Sequence, residues 1–172
     1  NKQRSELASF DMLGEGARTM DDAARYAASY ADAIAAIGKQ AKDGDPHANH
    51  GISIKLSALH PRYDYLKPAR RRDELLPVVL GLARQARAAN VPLMIDAEES
   101  ERLEPHLDIF AALIDAGVAD DWAGLGIVVQ AYQKRAAAAI DWVGHVAQAR
   151  GVKVALRLVK GAYWDSEIKR AQ

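Results

Sequence analysis

Short apolar runs alternate with longer helical patterns along the 172 residues, which predicts an α/β protein built on a parallel sheet. Two further observations make that sheet the first five βα units of a (β/α)8, TIM-like barrel, incomplete in this chain. Strand starts near residues 7 and 153 set four repeats over 146 residues. Eight units of about 36 residues would need about 290, in the size range of such barrels. Each strand also has one apolar face and, on the other, a polar side chain near its carboxyl end: Asp11, Lys55, Asp96, Gln130 and Arg157. The rival is an open doubly wound sheet, complete at five strands. Helices on both its faces would require nearly continuous apolar strands, whereas a barrel with a polar mouth at its strand ends fits the alternation.

The first strand is expected over residues 7–13, and residues 14–48 form a helical segment before the second. Within that segment Tyr26, Ala27, Tyr30, Ile34 and Ile37 recur at spacings of three and four, one buried stripe of a helix, and Gly44, Asp45 and Pro46 stop it. Residues 52–57 alternate strictly and read as the second strand. Leu75, Leu76, Val79, Ala83 and Ala86 mark the helix after it. The third strand is read at 92–97, followed by a helix carrying Leu103, Leu107, Phe110 and Ile114 that ends at Gly117. The fourth lies at 125–131, with Ile140, Val143 and Val146 on the next helix, and the fifth at 152–159. Asp165 or Ser166 is expected to cap a last helix.

Composition removes several classes of function. The 23 Lys and Arg balance the 23 Asp and Glu, so no global basic field gathers nucleic acid. The absence of cysteine excludes disulfides, thiolate-bound zinc and thiol catalysis, and favours an intracellular site. No apolar run approaches the ~18 residues of a membrane span, and no basic leader precedes a hydrophobic stretch. The chain reads as soluble and globular.

The five polar strand ends would meet at one mouth, with Lys55 beside Asp96 and Gln130 beside Arg157. A buried, mutually satisfied polar layer is the bland reading. Buried charge costs several kcal/mol unless paired, and placing it repeatedly at one end asks for a ligand as partner. After the last strand, Lys160-Gly-Ala-Tyr-Trp164 offers a cation and accessible backbone before a helix start, which suits a phosphate. Tyr163 and Trp164 there are either ordinary core or flank a flat ring. His47, His50, His60, His106 and His145 lack metal-ligand spacing. Gly14-Glu-Gly16 lacks the Lys-Ser/Thr ending of a phosphate loop. Lys67 and Arg70 to Arg72, followed by Asp73 and Glu74, read as a solvated helix surface.

Four stretches carry a likeness: Gly51-Ile-Ser-Ile-Lys-Leu-Ser-Ala-Leu-His-Pro-Arg-Tyr63, Ile95-Asp-Ala-Glu-Glu99, Gly126-Ile-Val-Val-Gln-Ala-Tyr-Gln-Lys-Arg135, and the run from Arg157 through Lys160-Gly-Ala-Tyr-Trp164 to Gln172. From about Phe10 onward the chain resembles the proline dehydrogenase domain of bifunctional proline utilization A flavoproteins. The resemblance implies a distorted barrel that binds FAD, oxidises L-proline to Δ1-pyrroline-5-carboxylate and passes electrons to a membrane quinone. It implies a cytoplasmic parent, associated peripherally with the inner membrane face, a homo-oligomer as a further expectation, and no nucleic acid bound by this segment. By motif, Lys55 is similar to the lysine that pairs with the substrate carboxylate, Asp96 to an aspartate lining the proline pocket, and Tyr163 to a tyrosine that closes over the substrate. Gln130, Arg157, Val159, Lys160, Gly161, Ala162 and Trp164 resemble flavin contacts, with Arg157 near the N5 edge of the ring.

The resemblance also implies that two arginines clamping the proline carboxylate belong to later units, with DNA-binding and aldehyde dehydrogenase modules lying elsewhere in the parent. Residues 1–172 are therefore expected to be a partial barrel domain that folds poorly or self-associates alone, its first and fifth strands forming sticky edges. Two other readings stay open. One is a Schiff-base aldolase using Lys55 or Lys160; the other is an inert barrel fragment acting as a scaffold.

Overall fold

The computed structural model of the chain describes residues 6–12, 16–63 and 68–172. Its centre is a five-stranded parallel sheet in the order β1-β2-β3-β4-β5, made of β1 (Ser9–Asp11), β2 (Gly51–Ile54), β3 (Leu93–Ile95), β4 (Leu125–Gln130) and β5 (Ala155–Val159). This α/β class agrees with the expectation. The order runs in sequence without the reversal that a doubly wound sheet needs, so the open-sheet rival fails.

Helix α1 (Met20–Gly38) starts six residues before the apolar stripe because Thr19 and Asp22 form a capping box. The Thr19 hydroxyl accepts from the Asp22 amide at 3.1 Å, and the Asp22 carboxylate accepts from the Thr19 amide at 3.0 Å. A short α2 (Leu56–Leu59) follows β2. Then α3 (Pro68–Arg70) passes through a π-helical turn, Arg71–Leu75, into α4 (Leu76–Ala88). The 3-10 turn Ser100–Arg102 leads into α5 (Leu103–Asp115), and α6 (Ala136–Arg150) and α7 (Trp164–Ala171) complete the helices. The helices α1, α4, α5 and α6 pack in succession. They cover the sheet face carrying Ile52, Ile54, Leu93, Ile95, Leu125 and Ile127, all fully buried with Tyr30, Ile34, Val79 and Phe110. Each such side chain contributes about 1.5–3 kcal/mol when removed from water. The opposite face holds Ser53, Met94, Gly126 and the polar strand ends. A Cβ at Gly126 would sit 2.1 Å from the Met94 sulfur, so the larger side chain on β3 requires the absent one on β4.

The strands are shorter than alternation suggests: β1 begins at Ser9 rather than residue 7, and β4 ends at Gln130 rather than residue 131. The second strand ends at Ile54 rather than residue 57: the Asp96 amide donates to Ile54 O, and the Ala58 amide then turns back to Lys55 O. Leu56 and Ser57 thus belong to α2, with Lys55 at its N-cap. The fifth strand starts at Ala155 rather than residue 152, because the Val152 amide donates to Ala147 O and closes α6 behind Gly151, whose φ is 66°. The third is limited to Leu93–Ile95. Residues 13–15, including the start of Gly14-Glu-Gly16 and the end of the expected first strand, lie outside the described residues, as does Lys67.

Fully buried His106 on α5 lies with Nε2 3.2 Å from the Val128 carbonyl. Only a protonated Nε2 donates to a carbonyl. Burial lowers its pKa to about 4 from 6.5, against the raising effect of that bond. The native ring stays neutral while the unfolded ring takes a proton below pH 6.5, so stability falls as pH drops from there toward 4, by about 1.4 kcal/mol per unit. His106→Gln keeps a donor that does not titrate. Thermal midpoints of the domain between pH 7 and 4.5 are expected to fall less in this variant than in the wild type.

Candidate functional site

Strand pairing brings the expected residues to one end of the sheet. A cavity of about 450 Å³ is lined there by Asp11, Lys55, Asp96, Gln130 and Arg157, the five polar strand ends. Val159, Lys160, Gly161, Ala162 and Tyr163 form its other wall. Trp164, expected with them, does not line it; it opens α7 and is half exposed. Two expected details change. Arg157 stands beside Val128 in the β4–β5 register and Gln130 beside Val159, so the expected Gln130–Arg157 neighbours are offset by two residues. The last helix starts at Trp164 without a side-chain cap; the Ser166 hydroxyl donates instead to Tyr163 O at 2.8 Å.

The charges are matched. Lys55 Nζ donates to both Asp11 oxygens, at 2.8 and 2.9 Å, and to Asp96 Oδ2 at 3.3 Å. Arg157 pairs with the other Asp96 oxygen and donates to the Ser53 hydroxyl at 3.2 Å. Burial raises the Asp96 pKa, and the Arg157 and Lys55 charges oppose that rise. The exposure of these groups is unequal: the Lys55 and Asp96 side chains are 9% and 12% exposed, Arg157 is 38% and Asp11 is 47%. Asp11 is therefore the most hydrated and most easily displaced member. The Tyr30 hydroxyl, accepting from the Lys55 amide at 3.2 Å, fixes the backbone beneath the ammonium. Arg157 Nε is buried with no hydrogen-bond partner, which a mutually satisfied polar layer would not leave.

Gln130 spends its carboxamide on backbone: Nε2 donates to Glu98 O at 2.7 Å and Oε1 accepts from the Ala162 amide at 3.1 Å. One N–H and one lone pair remain for anything in the cavity. Glu98, two residues after Asp96, would share its face if the strand ran on, but β3 stops at Ile95 and the side chain turns away. Its carboxylate accepts from the Ser57 amide at 3.0 Å and from Arg102 at 3.1 Å, and burial raises its pKa against the lowering effect of those bonds. Asp11 and Glu98 are the residues whose roles reasoning from sequence missed. The signal for Asp11 was its place as a strand end; for Glu98 none existed, because its partners depend on where β3 stops. Arg70 and Arg71 pair with Glu74 and Asp108 on the helical layer.

Gly161 adopts φ +118°, and a Cβ there would lie 2.3 Å from the Tyr132 ring and 3.1 Å from Gln130 Oε1. Gly161→Ala is expected to displace Tyr132 and destabilise the domain by about 2 kcal/mol. Its thermal midpoint and near-ultraviolet aromatic signal would read this.

A model of the family described as proline dehydrogenase matches residues 1–172. The bifunctional protein PutA of Salmonella typhimurium is 49% identical over 164 residues, which are 95% of this chain and 12% of that protein. The Escherichia coli PutA figures are the same. A crystal structure of Bradyrhizobium japonicum proline utilization A superposes with a TM-score of 0.92 at 52% identity, covering 97% of this chain and 17% of that one. The chain thus spans about an eighth of the length of these curated relatives.

Proposed function

We propose that this chain, which belongs to the proline dehydrogenase family, supplies five units of a (β/α)8 barrel and one side of an FAD-dependent site that oxidises L-proline to Δ1-pyrroline-5-carboxylate. The observation that carries this reading is the Arg157 guanidinium, held by Asp96 and Ser53 with a partnerless Nε, on the wall that Lys55 shares. An acceptor atom of a flat ring would satisfy that nitrogen. The glycine at 161, the exposed ammonium of Lys160 and the spare valences of Gln130 suit a bulky, anionic, hydrogen-bonding group, so the donor set fits a flavin nucleotide.

FAD, when bound, supplies the hydride acceptor. The chain's own residues bind and orient. Lys55 presents an ammonium to the substrate carboxylate, which competes with half-exposed Asp11 for it. Asp96, anchored between Lys55 and Arg157, holds both cations at fixed positions and offers a carboxylate to the ring amine. Arg157 places positive charge where the acceptor gains electrons, and a pre-set charge does so without reorganising. Tyr163 and Ala162 complete the wall. The resemblance supports a membrane quinone as the next acceptor, peripheral attachment of a cytoplasmic parent and a homo-oligomer; among the described residues no helix is long and apolar enough to cross a membrane.

The aldolase reading loses ground at Lys55, since an ammonium bonded by two carboxylates is not a free amine nucleophile. The full parent is expected to purify yellow, and anaerobic L-proline should bleach its flavin bands. A colourless parent, or a spectrum indifferent to proline, would overturn the reading.

A further inference from the structure

We propose that Glu167 is a positioning residue, a clip that holds the loop after β3 against α7 and so sets the width of the site; this rests on the flavin-site reading. The Glu167 carboxylate accepts from the Ser100 amide at 2.9 Å and from the Ser100 hydroxyl at 2.8 Å. Ser100 opens a 3-10 turn, so its amide is one of the donors a helix start leaves unused. A residue from another element, 67 positions away, satisfies it.

The clip spans a gap that the sheet does not close. Strands β3 and β5 are not neighbours, because β4 lies between them. Two connections pass over the end of β4. On the cavity side, Gln130 bridges Glu98 O and the Ala162 amide. Farther out, Glu167 binds Ser100, whose carbonyl also accepts from Arg135 at 2.8 Å. The Arg170–Glu101 pair nearby is more than half exposed on both sides, where ion pairs contribute little. Asp96 and Ala97 enter the clipped loop from the cavity wall, and Lys160 to Tyr163 leave the same wall toward α7. Releasing Glu167 leaves buried Gln130 and the exposed Arg170–Glu101 pair to hold the two walls in register. A charged acceptor with two donors is worth more than a neutral contact, so Glu167 is the stronger of the two ties.

The test uses the full parent with FAD and compares Glu167→Gln, Ser100→Ala, the double variant and Arg170→Ala. Glu167→Gln is expected to raise the FAD Kd and the proline KM about fivefold with kcat within twofold, and to speed amide hydrogen exchange at both 97–101 and 160–163. Ser100→Ala should show part of this, and the double variant should be no worse than Glu167→Gln, since both cut one tie. Arg170→Ala should match the wild type. Faster exchange confined to 97–101, an unchanged FAD Kd, or additive losses would overturn the clip. If Glu167→Gln does not fold, Ser100→Ala decides by the same readouts. A wild-type parent that binds no FAD sinks the flavin-site reading instead, and exchange at 160–163 then decides the clip alone.

Discussion

Arg157→Ala should lower kcat/KM for proline in the parent enzyme by about a hundredfold or more, the scale on which removing one pre-set charge donor acts. The loss has two physical sources. The guanidinium bridges Asp96 and Ser53 across the inner face, and its removal deprives the acceptor side of positive charge. It also leaves Asp96, 12% exposed, with Lys55 as its remaining cationic partner. Burial already raises the Asp96 pKa and Arg157 is the largest effect opposing it, so the variant's carboxyl moves further upward. The pH dependence of flavin reduction should then shift alkaline, because Asp96 must ionise to anchor Lys55. Arg157→Lys restores charge without the fork that reaches Asp96 and Ser53 together, and should recover part of the rate. Anaerobic stopped-flow reduction by proline measures both. A rate within threefold of wild type for Arg157→Ala would remove this residue from the site.

The inner-face pattern was legible because alternation is a local property: Ser53, Lys55, Asp96, Gln130 and Arg157 could be assigned to one face from period two alone. Parallel pairing in sequence order, the usual neighbour rule for successive βα units, then brings them together. Where elements stop was not legible. The end of β2 depends on the length of its neighbour β3, and the start of β5 on how far the α6 cap reaches back; both are tertiary facts. The same cause hid Glu98. Period two extended beyond Ile95 points its side chain inward, whereas the ended ladder turns it to Ser57 and Arg102. Trp164 does not line the cavity although Tyr163 does, because adjacency in sequence says nothing about side once a helix begins at Trp164.

Lys55→Met is expected to be the most destabilising substitution in the site, costing the domain about 3 kcal/mol near pH 8, the low end for breaking a buried pair since one partner is half hydrated. Methionine fills the space of the stem, so the loss comes from charge rather than from a cavity. Asp11 and Asp96, both bonded by the ammonium in the wild type, would face each other without it. Like charges and burial both favour the protonated acid, so the Asp96 pKa, already raised, rises further. A carboxyl whose folded pKa exceeds its unfolded value binds its proton more tightly in the native state. The penalty is therefore full above the folded pKa and shrinks as pH falls through it. Urea unfolding of the domain in the parent protein should show a gap between wild type and Lys55→Met that narrows from pH 8 to pH 5. A gap of equal size at both would mean that Lys55 acts by packing alone. Adding Asp11→Asn should return part of the stability at pH 8 but none of the proline affinity, since Lys55, the cation proposed for the substrate carboxylate, would still be absent.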